Sequence, residues 1–270
     1  MRRLKSISYT FLLLIISLIL VSPFYITFIL STYSNDDIFR GLHIFVSDNL
    51  ANNIQSLLHS GFANYYINSL FIAVCVSLLT ILISSLSGFA FARLSFRGKS
   101  VFEKVVILQL MIPSQIGIIA FVILMRVLGW TNTFLPFIIP SSVSCIGVFW
   151  MIQYIKTNIE VPILESAYIE GASHFAVFYK LVLPLIKPGL FFLGSISFIW
   201  SWNSYLLPSI IINKRSMYTV PLGIATLGNM YKTDYSTRFV GLLFSMLPLI
   251  ILFICGSKYL LAGVADVNKG

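Results

Sequence analysis

The stretch Ala63–Ala92, ANYYINSLFIAVCVSLLTILISSLSGFAFA, decides the fold class because it contains no Asp, Glu, Lys or Arg. An α-helix rises about 1.5 Å per residue, so roughly 20 apolar residues cross the ~30 Å hydrocarbon core of a bilayer. The stretch is longer than one span requires, which predicts tilt or an extension beyond the membrane. We therefore predict a transmembrane helix here.

Five further apolar stretches accompany it along the chain. The six predicted spans are Tyr9–Thr32, Ala63–Ala92, Val105–Met125, Phe134–Tyr154, Gly189–Ile212 and Phe239–Leu261. The composition agrees, since 58% of the 270 residues are hydrophobic and 10% are charged, whereas a soluble domain carries about 25% charged residues. We expect an all-α polytopic membrane protein in which residues 1–270 form one transmembrane domain.

The positive charges indicate the orientation of these spans. With the N-terminus inside, the inner segments hold Arg2, Arg3, Lys5, Arg93, Arg97, Lys99, Lys104, Lys156, Lys180, Lys187, Lys258 and Lys269. The outer segments hold Arg40, Arg126, Lys214, Arg215, Lys232 and Arg238. This excess predicts that both termini lie in the cytoplasm. It also accounts for the net charge of +9 without a nucleic-acid partner.

Two smaller expectations concern the outer loop and the cysteines. In the polar loop Tyr33–Phe62, the apolar residues Ile44, Leu50, Ile54, Leu57 and Leu58 recur at roughly helical spacing, which predicts a short amphipathic helix on the outer membrane surface. Each of the three cysteines (Cys75, Cys145 and Cys255) lies inside an apolar run, so we expect small buried hydrophobic residues rather than a disulfide or a metal site.

The cores of the predicted spans offer almost no ionisable group. Ion-coupled transporters hold their coupling ion near the midplane, and only the neutral Gln109, Gln115 and Asn203 are available there. Neither a zinc motif nor a nucleophile–histidine pair is present, which argues against an enzyme and a metal site, and the three histidines lie in loops. If the protein drives uphill transport, the energy must come from outside the membrane.

The segment Arg93–Ser100, RLSFRGKS, ends like a phosphate-binding P-loop. The motif needs glycine at its first position, where Arg93 stands, and it needs a preceding strand and a following helix. A loop between two membrane helices is predicted here instead. We therefore expect no ATP site in this segment.

The longest inner segment, Ile155 to Pro188, predicts two short helices joined by a tight turn. Pro162 stands where a helix begins, and Gly171 suits the left-handed conformation that ends one. A second helical stretch is predicted from Phe175 to Leu183, ending at Pro184. Small residues would let another protein approach the backbone, and two glutamates add negative charge. The candidate contact residues are Glu165, Ser166, Ala167, Glu170, Gly171 and Ala172.

The same residues carry a family resemblance. The pattern Glu-Ala-Ala, three residues, Gly, nine residues, Ile-x-Leu-Pro marks the membrane subunits of binding-protein-dependent ABC importers. Here it reads Glu165-Ser166-Ala167, Gly171 and Leu181-Val182-Leu183-Pro184. The chain resembles that family, with Ser166 and Leu181 as conservative departures and Glu170 where the sugar branch more often has aspartate.

Other segments resemble the maltose-type sugar permeases, in particular the shorter of their two membrane subunits. They are Phe91–Lys99, Met111–Pro113, Leu128–Thr133, Trp202-Asn203, Val220–Gly223 and Leu261–Val264. The tail Ala265–Gly270 departs from the family pattern, so no tail contact with an ATPase is carried over. The resemblance therefore covers nearly the whole chain.

The resemblance implies a heterodimer of two related membrane subunits in a bacterial or archaeal cell membrane. Two ATPase subunits would dock in the cytoplasm, and an extracellular or periplasmic binding protein would deliver the solute. The residues from Glu165 to Gly171 would form the coupling helix in an ATPase groove. ATP and Mg²⁺ would be bound by the ATPase, with no cofactor in this chain. Closure of the ATPases would then shift the membrane helices between inward-facing and outward-facing states.

A cluster near the outer end of the fifth span has two interpretations. Trp200, Trp202, Asn203 and Tyr205 either lie at the lipid interface or form a sugar-stacking surface on the translocation path. Asn203 is expected to face the path, because an unpaired amide in lipid would be costly.

Two alternatives to a sugar importer stay open. An importer of amino acids, peptides or polyol phosphates would share the coupling segment, whereas the maltose-type segments favour carbohydrate. A non-transporting membrane scaffold is the alternative of another class, and solute-dependent ATPase activity would discriminate against it.

Overall fold

The computed structural model describes residues 2–113, 115–228 and 233–267. It is 76% helical, and the described residues form no strand beyond one isolated bridge between Gly228 and Thr233. The all-α fold class is therefore confirmed. The helices are α1 (Arg2–Ser31), α2 (Leu50–His59), α3 (Phe62–Arg93), α4 (Lys99–Met111), α5 (Ile118–Val127), α6 (Leu135–Ser142), α7 (Cys145–Asn158), α8 (Val161–Ile169), α9 (His174–Val177), α10 (Leu183–Leu185), α11 (Lys187–Trp202), α12 (Leu206–Ile211), α13 (Val220–Ala225) and α14 (Tyr235–Val267).

Four stretches in the described residues are long and apolar enough to cross a membrane. They are Tyr9–Ser31, Phe62–Arg93, Leu135–Asn158 and Tyr235–Ser257. These stretches coincide with the first, second, fourth and sixth predicted spans. The stretch His174–Leu185 and helix α11 together would make a fifth span, bent by 79°. The chain is thus a multi-pass membrane protein.

The third predicted span, Val105–Met125, is not one continuous helix. It consists of α4 and α5, which are interrupted around Pro113, because proline lacks the backbone N–H that a continuing helix would use. Ile112 already has an extended backbone, with φ −90° and ψ 117°. Neither half is long enough to span a bilayer alone, so six spans stay a prediction.

The helices form two compact units. The first comprises Met1–Tyr66 and Val220–Pro248, and the second comprises Ile67–Thr219 and Leu249–Gly270. Two of the unit boundaries fall within α3 and α14, and the third lies between Thr219 and Val220, at the start of α13. The prediction of a single domain over residues 1–270 is not tested by this division.

In the first unit, the helix expected in the outer loop is present as α2. Its Leu57 is buried and its Leu58 is exposed, and Ile44 lies outside the helix. The Asn53 amide donates hydrogen bonds of 2.8 and 2.9 Å to the carbonyls of Ser31 and Tyr33. The buried face of α2, which carries Asn53 and Leu57, is therefore tied to the end of α1. A position of α2 on the membrane surface stays a prediction.

The three cysteines differ from the expectation of buried residues. Cys75 and Cys145 are half-buried, and Cys255 is exposed. A small apolar side chain gains as much from a lipid surface as from a protein core, because both exclude water. The divergent tail is described as helical up to Val267, whereas Asn268–Gly270 lie outside the described residues.

Candidate coupling segment and substrate cavity

Residues 161–186, called the glutamate–glycine segment here, form two short helical stretches joined by a tight turn. Pro162 lies in the first turn of α8, as predicted. The helix closes with a Schellman motif, in which Gly171 N donates to Tyr168 O and Ala172 N donates to Ala167 O, both at 3.0 Å. Gly171 has a φ of +82°. The predicted left-handed glycine is thus confirmed as the C-terminal stop of α8.

The second stretch of the segment continues past its predicted end. Ser173 caps α9 by accepting a 3.3 Å hydrogen bond from Ala176 N, and a wide π turn follows over Phe178–Val182. Leu183 N donates to Phe178 O, five residues back. Because the hydrogen-bond register has shifted in this turn, the missing N–H of Pro184 does not end the helix. The helical stretch therefore ends at Leu185, and the expected stop at Pro184 is wrong.

The inner face of the segment is buried against three long helices. Leu164, Val177, Phe178, Val182 and Ile186 join one apolar cluster. The other buried members of the cluster come from α3 (Phe89), α7 (Met151, Ile155), the α7 end (Ile159) and α11 (Leu193). The rings of Phe89 and Phe178 lie 5.5 Å apart. A displacement of the segment must therefore be transmitted to α3, α7 and α11, since a packed apolar core does not deform freely.

The outer face of the segment is open. Ile169 is 87% exposed and Phe175 is 71% exposed. Glu165, Ser166, Glu170 and Gly171 are exposed, whereas Ala167 and Ala172 are half-buried. A Cβ added at Gly171 would meet nothing within 4 Å. Exposed apolar side chains beside two carboxylates are typical of a protein contact surface.

A histidine–tyrosine contact stabilises the turn of the segment. The His174 Nδ1 lies 3.1 Å from the Tyr168 hydroxyl, and the two rings meet edge to face at 5.1 Å. Burial raises the pKa of the Tyr168 phenol above its ordinary value. The raised pKa favours the protonated phenol, which can both donate and accept a hydrogen bond.

Arg93 ties the ends of α3 and α7 together beside this segment. Its Nη2 donates to the carbonyls of Ile155 and Lys156 at 3.2 and 3.1 Å, and also to the Ile159 carbonyl. A guanidinium at a helix C-terminus satisfies carbonyls that lack a partner in the helix and favours the negative end of the helix dipole. The residue that excluded a P-loop in the sequence is thus a structural clamp, and helix α3 stands where that motif needs a strand.

Two of these helices, α3 and α11, line a cavity of about 220 Å³ in the second unit, together with α6, α12 and Ser144, the N-cap residue of α7. The seven hydroxyl groups in its lining come from Ser69, Ser141, Ser144, Ser197, Ser201, Ser204 and Thr219. Trp200 and Phe137 supply aromatic surface. The lining is thus rich in groups that both donate and accept hydrogen bonds.

Only Trp200 of the four predicted path residues lines this cavity. Trp202 is 1% exposed and stacks on Phe198 at 5.8 Å, which places it in the packing core. Asn203 is exposed, and its amide donates a 2.9 Å hydrogen bond to Ile199 O within its own helix. Tyr205 is 47% exposed and is not among the cavity residues. The Asn203 amide therefore has a backbone partner, and its position on the translocation path stays a prediction.

The cavity hydroxyls were not found from the sequence, although α11 carried a signal. Ser197, Trp200 and Ser201 recur at i, i+3 and i+4, which places them on one face of α11, and Ser204 follows just beyond the helix end. No such spacing reveals Ser69 or Thr219, since they are distant in sequence and meet only in the fold. For metals, the described residues contain no group of three or more His, Cys, Asp or Glu side chains able to hold an ion.

Comparisons with known proteins identify membrane components of transport systems as relatives of this chain. Residues 80–265 match the family model described as binding-protein-dependent transport system inner membrane component. The arabinooligosaccharides transport system permease protein AraQ of Halalkalibacterium halodurans is 33% identical over 197 residues, covering 73% of this chain and 70% of AraQ. The sn-glycerol-3-phosphate transport system permease protein UgpE of Yersinia pestis bv. Antiqua is 25% identical over 268 residues, covering 96% and 95%.

A solved structure shows the same fold. It is a chain of a bacterial ABC transporter involved in the import of the acidic polysaccharide alginate. The TM-score is 0.83 at 20% sequence identity, and the match covers 95% of this chain and 96% of the other. The family model matches more than half of this chain. The chain therefore belongs to the binding-protein-dependent transport system inner membrane components, the permease subunits of ABC importers.

Proposed function

We propose that this chain is one of two membrane subunits of an ATP-driven importer of sugars, and that the glutamate–glycine segment couples it to a separate ATPase. The observation that carries the proposal is the packing of this segment against α3, α7 and α11, because two of these helices, α3 and α11, also line the hydroxyl-rich cavity. ATP and Mg²⁺ are bound by the ATPase partner, and a solute-binding protein delivers the sugar.

The mechanism follows from the rigidity of α3. Ile72 lines the cavity and Phe89 contacts the segment, and they lie about 25 Å apart along the helix at 1.5 Å per residue. When ATP draws the two ATPases together, the docked segments move with them. Because Phe89 packs on Phe178, that motion tilts α3 and changes access to the cavity. This is a shift between two states that bind the ATPase dimer differently.

The proposed topology has six spans, with α4 and α5 as one interrupted span and both termini in the cytoplasm. Two exposed residues test it: Leu42, 96% exposed in the loop after α1, and Ile169, 87% exposed in the segment. In a variant with its native cysteines replaced, Leu42→Cys should react with an impermeant thiol reagent in intact cells. Ile169→Cys should react only after the cells are permeabilised. The reverse pattern would contradict the topology.

Docking of the segment is tested with two matched glycines. Gly171 and Gly129 both have positive φ, +82° and +70°, and both have open space around an added Cβ. Gly171→Trp and Gly129→Trp therefore carry the same backbone strain. We expect only Gly171→Trp to abolish pull-down of the ATPase and uptake, with the spans still inserted. Full uptake by a stably expressed Gly171→Trp variant would contradict the coupling assignment.

Glu165 probes the electrostatics of the same surface. Glu165→Lys reverses a charge on the exposed face of α8. An exposed ion pair contributes about 0–1 kcal/mol, so ATPase affinity should fall by no more than about fivefold. Lys156→Glu, just before the segment and also exposed, serves as the charge-reversal control. Equal losses of ATPase affinity in Glu165→Lys and Lys156→Glu would argue against a specific contact at Glu165.

A second solute class is favoured by the likeness to UgpE, a permease protein of an sn-glycerol-3-phosphate transport system. The assay is ATP hydrolysis by the complete complex in proteoliposomes with its binding protein. A panel of neutral di- and trisaccharides, uronate oligosaccharides and glycerol 3-phosphate is added. Stimulation by a neutral or acidic saccharide supports a sugar importer. Stimulation by glycerol 3-phosphate alone would support the polyol phosphate alternative, and hydrolysis that responds to no solute would favour a scaffold.

A further inference from the structure

We infer that the cavity among α3, α6, α11 and α12 is a subsite for one uncharged sugar ring, so that this subunit itself contacts the solute and disfavours anions. The inference rests on the proposed import function. It is carried by the chemistry of the lining, which combines seven hydroxyl groups with the indole of Trp200 and contains no charged side chain among the described lining residues.

The first support is a buried hydroxyl that lacks a partner. Thr219 is 5% exposed, and its Oγ1 is buried with no hydrogen-bond partner among the described residues. A buried polar atom in a folded protein is nearly always satisfied. Because Thr219 lines the cavity, a rotation of its side chain toward the cavity would let a hydroxyl of a bound sugar supply the missing bond.

The second support is the arrangement on α11. Ser197 and Ser201 lie one turn apart on the same helix face, with Trp200 beside them. The Ser197 hydroxyl already donates to Leu193 O at 2.9 Å, which leaves its oxygen as an acceptor. A serine hydroxyl such as that of Ser201 can accept two hydrogen bonds and donate one. Trp200 is 56% exposed, which leaves its ring available to pack against the apolar face of a sugar.

The size and charge of the cavity limit the occupant. Its volume of about 220 Å³ lies below the roughly 300–1,000 Å³ of sites for drug-sized ligands. It therefore fits one ring of a saccharide. A carboxylate or phosphate would lose its hydration there without meeting a cation in the described lining, and burying an unpaired charge is costly. Uronates and glycerol 3-phosphate should therefore bind more weakly than neutral sugars.

The experiment measures direct labelling of the solubilised permease–ATPase complex in the absence of the binding protein. The probe is a neutral maltose derivative with a photoreactive diazirine. We expect label on α11, with unlabelled maltotriose competing at least tenfold better than trigalacturonate or glycerol 3-phosphate. Thr219→Val and Ser201→Ala, which each remove one hydroxyl, should lower labelling about threefold to tenfold. Trp200→Ala should lower it at least as much.

The matched control is Ser195→Ala. Ser195 lies on the same helix and is buried, but its hydroxyl donates to Phe191 O at 2.8 Å and it does not line the cavity. Labelling of the control should equal that of the wild type. Equal competition by the anionic solutes, label absent from α11, or labelling unchanged in Thr219→Val and Ser201→Ala would each overturn the subsite.

Failure of the proposed function has a different signature. It appears as wild-type ATP hydrolysis that no solute of the panel stimulates in the complete complex. Failure of the subsite appears in a complex whose hydrolysis responds to a sugar but whose α11 remains unlabelled or labels without regard to charge. The two readouts use different preparations, so one can fail while the other succeeds.

Discussion

The glutamate–glycine segment and the hydroxyl-lined cavity both contact α3 and α11, but they are built in different ways. The segment is one continuous stretch, residues 161–186, with an exposed outer face around Gly171. The cavity is assembled from residues as distant as Ser69 and Thr219, and it is partly enclosed. The difference teaches that a contact surface for a partner protein can be formed by one continuous stretch of sequence. A site for a small polar solute needs residues from several helices to converge.

The sharpest test of this comparison uses two tryptophans on α11. Trp202 is 1% exposed and stacked on Phe198, whereas Trp200 is 56% exposed and lines the cavity. Trp202→Ala should destabilise the protein by about 3–5 kcal/mol, because it leaves a large void. Trp200→Ala should leave stability nearly unchanged but weaken solute binding. Thermal unfolding in detergent, measured by fluorescence size-exclusion, gives the first result. A larger loss of stability in Trp200→Ala than in Trp202→Ala would mean that Trp200, and not Trp202, is the packing residue.

At the segment end, Arg93 is the side chain whose loss should matter most. Arg93→Met keeps the length of the side chain but removes hydrogen bonds from the guanidinium to the carbonyls at the end of α7. Since hydrogen bonds to a charged group contribute about 1.5–3 kcal/mol, we expect a loss of about 2–3 kcal/mol in stability. Arg97→Met, at an exposed position four residues later, is the control. Equal melting of the two variants would show that the clamp is dispensable.

Substitutions at two glycines, Gly88 and Gly171, distinguish the effect of close helix packing from the effect of backbone conformation. A Cβ at Gly88 would lie 2.6 Å from the Met151 Cβ and 3.1 Å from the Met151 carbonyl carbon. Gly88→Ala must therefore force α3 and α7 apart, at a cost of about 1–3 kcal/mol. Gly171→Ala meets no neighbour and carries only the strain of a positive φ, about 1–2 kcal/mol.

The readouts for these glycines differ. Gly88→Ala should lower the melting temperature of the isolated chain, and Gly171→Ala should mainly affect ATPase pull-down. Gly117→Ala, with open space and an ordinary negative φ, is the neutral control. An unchanged melting temperature of Gly88→Ala would mean that α3 and α7 can separate without cost. Helix α3 would then not connect the glutamate–glycine segment rigidly to the cavity.

Substitution of Asn203 should have the smallest effect on stability and uptake. Its amide is bonded to Ile199 O within α11, and it lies outside the cavity lining. Asn203→Leu removes an exposed hydrogen bond at a helix end, which contributes about 0.5–1.5 kcal/mol at most. Uptake should change by less than about twofold, measured with the solute that stimulates ATP hydrolysis. A larger fall in uptake with normal assembly would return Asn203 to the translocation path.

The sequence by itself determined the membrane class, four spans in their observed places, the Pro162 start and Gly171 stop of α8, and the family motif around Glu165. These features depend on composition, on local backbone preference and on spacing along one chain, and each of them acts over fewer than about 35 residues. The interruption around Pro113 was also written in the sequence, as a proline within an apolar stretch, but hydropathy averaged over a window conceals it.

The tertiary structure alone decided which polar and aromatic side chains converge. Trp200 and Trp202 are two residues apart with similar surroundings in the sequence, yet a helix turns them about 200° relative to each other, so one lines a cavity and the other is buried. Ser69 and Thr219 meet through helix packing that no local pattern encodes. Arg93 likewise acquires its role only because the end of α7 lies within reach of α3. Side-chain direction and long-range contact are properties of the packed fold, which is why these assignments required the structure.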